Sequence, residues 1–504
     1  MNFARVEAGV RRYHRVLFLG VCSEILYLLY FVRQFPLLHL WNKPYQDMGQ
    51  ITGHTHSAFV SFVGVMVWLF VLFGLALWQL PEERGSEGLW VVVGMGAVFA
   101  ITMVFVYPVT ALDIFAYIDQ SLVAVQYHAN PIFVPASVFS HDPLMGLSDG
   151  WAQFSAPYGP LGLVADALPT LVAGRNVLAT LLLLKLLFSL LSLVAAWLVY
   201  QVLQHVSQRR ALVGAMLVAW NPLVLFEISA NGHNDMVMIC LVLAGLLSLA
   251  ERSLVRGPAW IILSALVKYA SLVLLPPALI YGLTRYPTWR DRVRYLALTA
   301  GLMVSVCAIA YAPFWQGPDT FRRALMEGNF YLYSFSSALP QIVSSVTHDQ
   351  ATWLGRLLFL PVYAYTLWLA RGGIADLLRS SFLATFAFLA LAVNDVKYWY
   401  VVSPVVLAAL VPGRVPWVCA IVMSLGMEIA AALNIYVWVW VGVTDANFHP
   451  INLASYGMVF VAPAILLVIG GLPYRGERFA RWLHSASERM GRRPGGYPDT
   501  TSLE

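Results

Sequence analysis

Four polar stretches interrupt an otherwise apolar chain, and each carries residue types that handle protons or anions. They are "ALDIFAYIDQ" with Asp113 and Asp119, "NGHND" with His233, Asn234 and Asp235, "ALVKYA" with Lys268, and "NDVKYW" with Asp395, Lys397 and Tyr398. A carboxylate at a polar surface can take a proton from a hydroxyl, and Asp113, at the end of an apolar run, has that setting. A lysine inside an apolar run is costly unless it is paired or meets an anion. Lys268 is such a lysine; its other reading, an ammonium reaching the interface along its own stem, stays open. Asp235 also reads as a helix cap, and Asp395 with Lys397 also reads as a surface ion pair. His54 and His56 in "GHTHS" have a metal-like spacing without partners and read as a polar turn, so no metal site is predicted.

The elements that must position these residues are membrane helices. Of 504 residues, 60% are hydrophobic and 11% charged, against roughly 25% charged in an ordinary soluble protein. Apolar runs long enough for a ~30 Å hydrocarbon core recur near 16–38, 58–80, 89–110, 176–204, 211–229, 236–250, 258–284, 295–316, 354–371, 380–394, 398–412, 417–440 and 451–472. The pattern predicts an all-α polytopic bundle of about 12 to 14 spans. The first run lacks a small-residue cleavage site and reads as a retained helix. All four cysteines lie in predicted spans, so no disulfide or zinc framework is implied. The net charge of +5 is spread over many short loops, which excludes a nucleic-acid footprint.

Lys and Arg accumulate on cytoplasmic loops, which orients the chain. Residues 111–174 contain neither, yet hold Asp113, Asp119, Asp142, Asp149 and Asp166. That segment reads as a large extracytoplasmic loop, with both termini cytoplasmic. Counting onward, a single crossing by 258–284 would deliver the arginine-rich "RYPTWRDRVR" to the outside. Two short helices that enter and return, with Lys268 near the outer tip, repair the parity; a hairpin at "NGHND" instead is the other solution. The domain reading is a transmembrane unit over 1–473 and a basic amphipathic tail over 474–504 on the cytoplasmic membrane surface.

On a 3.6-residue period, Leu112, Phe115, Ile118, Leu122 and Val125 share one face, and Asp113, Tyr117, Gln120, Ser121 and Ala124 the other. This predicts an amphipathic helix along the outer interface, with Asp119 about 120° round from Asp113. Prolines and aromatics follow, among them Tyr158 in "SAPYGPLG". Such aromatics anchor a protein at the headgroups or stack on a sugar ring.

The order of "ALDIFAYID", "NPIFVPA", "SAPYGPLG", "NGHND", "ALVKYASLVLLPP" and "NDVKYWYVVSP", all on one side, resembles the C-type glycosyltransferase superfamily. The likeness is greatest to its bacterial polyprenyl-phosphate-mannose-dependent mannosyltransferases, and covers 107–404 by motif. Many members carry a second acid where this chain has Leu112, which puts a metal-binding acidic pair in doubt. The resemblance implies an inverting hexosyltransferase of the cell membrane and envelope. It would move a monosaccharide from a polyprenyl phosphate to a glycan or lipid acceptor on the extracytoplasmic side, with Asp113 as general base. Asp119, Tyr158, His233, Lys268, Asp395 and Lys397 are its expected substrate-binding residues. No cofactor is expected, and the need for a divalent cation is left open. Competing functions are a lipid-sugar flippase, which would show repeated halves and mid-membrane charges where this chain shows no internal repeat and has its polar clusters at one face, and an oligosaccharide polymerase or ligase. The latter would have a late outer loop rich in arginine, whereas 317–353 holds only Arg322, Arg323 and no further arginine.

Overall fold

The computed structural model describes residues 3–81, 86–321, 330–442 and 450–470. The expected amphipathic tail and the Arg322–Arg323 pair lie outside the described residues. Apolar chain in hydrocarbon must satisfy its own peptide groups, and helices do so within one segment. Among the described residues, eight helices are long and apolar enough to cross a membrane: Arg12–Val32, His56–Gln79, Glu87–Val104, Val177–Gln204, Trp289–Phe314, Ile374–Ala392, Arg414–Val441 and Pro450–Gly470. Gln208–Ala219 and Pro222–Ala230 form one further span if their 42° bend is counted through. Pro222 lacks the amide that would continue the first helix, and the Asn221 side chain caps the second by accepting from Leu223 N–H. Four shorter apolar helices are Pro160–Ala173, Asp235–Ala250, Tyr269–Leu283 and Tyr398–Ala409. Among the described residues there are no strands, only two isolated bridges.

The 258–284 run is broken, as one of the two sequence readings expects. One helix ends at Ala265, Lys268 is extended (φ −139°, ψ 126°), and a second helix begins at Leu275 with proline in its first turn. Lys268 lies against Asp235 at the start of the Asp235–Ala250 helix, while Arg285 and Tyr281 line a recess with Ala250 and Arg252 at its end. The segment therefore goes up and comes back.

The two ends of the bundle differ in the charges they carry. At one end Arg15 donates to Gln79, Arg210 lies over the Trp417 ring, and Arg285 donates to the Gly372 carbonyl. The other end gathers Asp113, Asp235, Asp395 and the connecting loops. The Asp113–Val125 helix sits there, but not as a helix half in water: Phe115, Ile118 and Leu122 are buried, and so are Tyr117, Asp119 and Ser121 on the remaining surface. The polar positions are covered because the loop that follows folds back over them.

Candidate active site

Asp113 occupies the first turn of the Asp113–Val125 helix, and the chain reaches it through a tethered approach. The Asn231 side-chain oxygen accepts from Val109 N–H (2.8 Å) and Thr110 N–H (3.2 Å). Lys185, wholly buried in its helix, donates to the Val106 carbonyl. Met48 N–H donates to the Val109 carbonyl (3.0 Å), and the Tyr45 ring lies 6.1 Å from Phe115. The loop between the first two long helices is thus a wall beside Asp113, a role its sequence did not disclose.

Gly232 turns the next polar stretch beneath that helix. Its φ of +78° suits glycine, and a Cβ there would lie 2.4 Å from the Ile114 side chain. The turn brings His233 under Asp113, with Nδ1 3.7 Å from Asp113 Oδ2 and Nε2 3.2 Å from Glu227 Oε2. The imidazole stacks on Trp399 at 3.7 Å between centroids. Asn234 accepts from Tyr117 Oη (3.4 Å) and donates to Asp166 (2.9 Å). Asp235 pairs with Lys268 at 2.6 Å, so it is a counter-ion as well as a first-turn carboxylate.

Tyr158 joins through backbone. Gly159 N–H donates to the Val267 carbonyl (3.2 Å) and Leu161 N–H to that of Leu266 (2.9 Å), and a Cβ on Gly159 would lie 2.2 Å from the Leu266 oxygen. Only glycine permits that approach. It sets the Tyr158 ring 5.4 Å below Lys268 Nζ, within cation–π range. Asp395 and Lys397 pair at 2.8 Å, and Leu332 bridges to their segment.

A cavity of about 500 Å³ has Asp113, Tyr158, Asp235, Lys268, Trp399 and Tyr400 around its polar end, and Met238, Val242, Leu243, Leu274, Phe388 and Leu389 along an apolar flank. Burial pushes the Asp113 carboxyl up to about 6; Lys268 and Lys397 oppose that, and Asp235 and Asp395 reinforce it. Burial, with the nearby Lys268 charge, holds His233 well below the usual imidazole range and therefore neutral. A neutral imidazole between two acids and a carboxyl poised near neutrality suit proton transfer beside an anion held by lysine.

The structure thus brings together Asp113, Tyr158, His233, Lys268, Asp395 and Lys397. It does not bring Asp119 to the cavity. Asp119 accepts from Ser148 Oγ (2.6 Å), Ser148 N–H (3.0 Å) and Leu147 N–H (3.3 Å), which latches the loop. Sequence reasoning missed Glu227, Asp166 and Trp399. The signal that was available was an acid or an indole inside or beside an apolar run. Among the described residues, no group of three or more His, Cys, Asp or Glu side chains is arranged to hold a metal ion.

Fold and site together define a helical membrane protein with a cavity lined by acids and a lysine at one end of the bundle. The chain belongs to the family described as alpha-(1->6)-mannopyranosyltransferase, N-terminal domain, whose pattern matches residues 32–283, half of the chain. It is similar to alpha-(1->6)-mannopyranosyltransferase A of Corynebacterium glutamicum, 25% identical over 260 residues, covering 49% of this chain and 52% of that protein. The protein of the same name from Mycobacterium tuberculosis is 24% identical over 245 residues, covering 48% and 45%. The likeness therefore spans about half the length of each relative. The family match takes in Asp113, Tyr158, His233 and Lys268 and stops before Asp395 and Lys397.

Proposed function

We propose that this protein is a C-type glycosyltransferase that transfers mannose from a polyprenyl-phosphate donor to a hydroxyl of a glycan or glycolipid, inverting the anomeric carbon. The observation that carries this reading is a cavity lined by both Asp113 and Lys268 and by an apolar flank. Asp113 takes the acceptor proton as the acceptor oxygen bonds to the anomeric carbon and the bond from that carbon to the phosphate oxygen breaks. One displacement on the face opposite the leaving group gives inversion. Lys268 meets the negative charge that grows on the departing phosphate. Tyr158 offers a ring face for the sugar, and the flank of Met238, Val242, Leu243 and Phe388 suits a polyprenyl chain.

The bent span, the short helices and the Lys268 hairpin, added to the eight long helices, support 12 to 14 membrane segments. Residues 111–174 hold no Lys or Arg, and Arg175, just beyond them, is neutralised by Asp142 at 2.8 Å; with the bias of basic residues toward the cytoplasm this supports an extracytoplasmic site and cytoplasmic termini. Purified protein in proteoliposomes should transfer labelled mannose from mannosyl polyprenyl phosphate to an acceptor glycan without added nucleotide. Transfer supported only by a nucleotide sugar, with no lipid-linked intermediate, overturns both donor and orientation.

A further inference from the structure

Glu227 lies in the Pro222–Ala230 limb of the bent span and is fully buried. Its backbone carbonyl accepts His233 N–H at 3.2 Å, and its side-chain Oε2 faces His233 Nε2 at the same distance. The ring cannot rotate away, because it lies flat on Trp399 with 16° between the planes. Its other nitrogen points at Asp113. A neutral imidazole has one N–H to share between two acids, so the acid on the far side decides which nitrogen carries it.

We infer that Glu227 is a positioning residue for Asp113: its carboxyl proton is donated to His233 Nε2, which keeps the ring proton on Nδ1, aimed at the Asp113 carboxylate. This rests on Asp113 being the base. An ionised carboxylate in an apolar bundle is sustained by a cation, and among the described residues no Lys or Arg forms an ion pair with Glu227; its side-chain neighbours are Thr110 Oγ1, which donates at 3.4 Å, and the imidazole. A second buried acid, Glu428, shares its surroundings and brings no positive charge. The Glu227 carboxyl therefore keeps its proton, accepting from Thr110 while donating to Nε2. The 3.7 Å separation on the Asp113 side is of the kind that closes when substrate enters.

The groups that face Asp113 are Lys268 and Lys397, which favour its carboxylate, Asp235 and Asp395, which disfavour it, and the hydroxyls of Tyr45, Tyr117, Tyr158 and Tyr400. An Nδ1–H donor adds to the first set. Without Glu227 nothing holds the ring proton on Nδ1, the ring can offer an Nδ1 lone pair to a protonated Asp113, and Asp113 therefore ionises at higher pH.

The test is the pH dependence of transfer in Glu227→Leu, Glu227→Gln, His233→Gln and Glu227→Leu/His233→Gln, with Asp113→Asn as reference. Glu227→Leu should lower kcat on the order of tenfold or more, shift the acidic limb to higher pH and leave the donor KM unchanged. Glu227→Gln should restore most of both, since an amide N–H can donate to Nε2. The double variant should lose no more than His233→Gln alone, because Glu227 acts through the ring. If Glu227→Leu does not accumulate in the membrane, His233→Gln must still raise the acidic limb. An unshifted limb in His233→Gln, wild-type behaviour of Glu227→Leu, or losses that multiply in the double variant overturns the inference. An active Asp113→Asn would instead overturn the assignment of the base. An inactive Asp113→Asn beside an unaltered Glu227→Leu overturns the positioning role alone.

Discussion

Lys268 Nζ lies 2.6 Å from the Asp235 carboxylate, and both side chains face the cavity that holds Asp113. The pair is nearly enclosed, with the aspartate only 2% exposed, so removing one member strands the other. Lys268→Met should cost roughly 3–5 kcal/mol of stability and abolish transfer. Adding Asp235→Asn should recover most of the stability without the activity, because the donor phosphate still lacks its cation. Thermal unfolding and transfer assays on the same preparations check this. Recovered transfer in the double variant would make Lys268 a counter-ion only.

Asp113→Asn should lower transfer by ~10² to 10⁴. With its carboxyl held near 6, the base is lost to protonation as pH falls, so the wild-type rate should decline below about pH 6. Stability runs the opposite way. The folded protein holds this proton more tightly than the unfolded chain does, so stability falls as pH rises from the unfolded carboxyl value toward about 6. Asp113→Asn lacks that penalty, and its unfolding midpoint at pH 7 should equal or exceed that of the wild type.

Asp119→Ala should behave differently. It leaves the Ser148 and Leu147 amides without their acceptor, at about 1–3 kcal/mol for a buried unsatisfied group. The cost should be a lower unfolding midpoint and faster proteolysis of the 140–150 loop, with kcat of the folded fraction retained. A large loss of kcat at unchanged stability would return Asp119 to the chemistry.

Gly159→Ala forces a methyl group onto the Leu266 carbonyl, a backbone atom that cannot swing aside. It should separate Tyr158 from Lys268, raise the donor KM and lower the unfolding midpoint. Gly150→Ala, whose added carbon meets nothing within 4 Å, should leave both measurements near wild type.

Asp113, His233 and the Asp395–Lys397 pair stood out because each is polar at the end of an apolar run, where composition alone separates helix from connection, and Lys268 because it is a charge inside one. The break at Lys268 was one of two solutions that charge parity offered, the other being a hairpin at "NGHND", and the helices on either side of Lys268 show the run to be broken there. Glu227 was not legible. Inside an apolar run, an acid's partner is supplied by another part of the chain, and spacing along its own helix says nothing of His233. The capture of Asp119 depends on how residues 140–150 fold back, and no periodicity within residues 113–125 encodes that. For the same reason a helix read as half-solvated is covered on both faces.

The backbone pairing of residues 159–161 with 266–267 also constrains the order in which the molecule is made. When the segment holding Asp113 and Tyr158 leaves the ribosome, its pairing partners have not been synthesised, and Asp395 and Lys397 follow much later. Closing so long a loop gains little until the intervening spans are in place. The cavity is therefore complete only after its most distant lining residues, up to Leu407, have been made. A chain interrupted after the Asp235–Ala250 helix would insert its early spans and still lack both lysines, leaving Asp113 with no cation beside it and Tyr158 with no backbone to rest on.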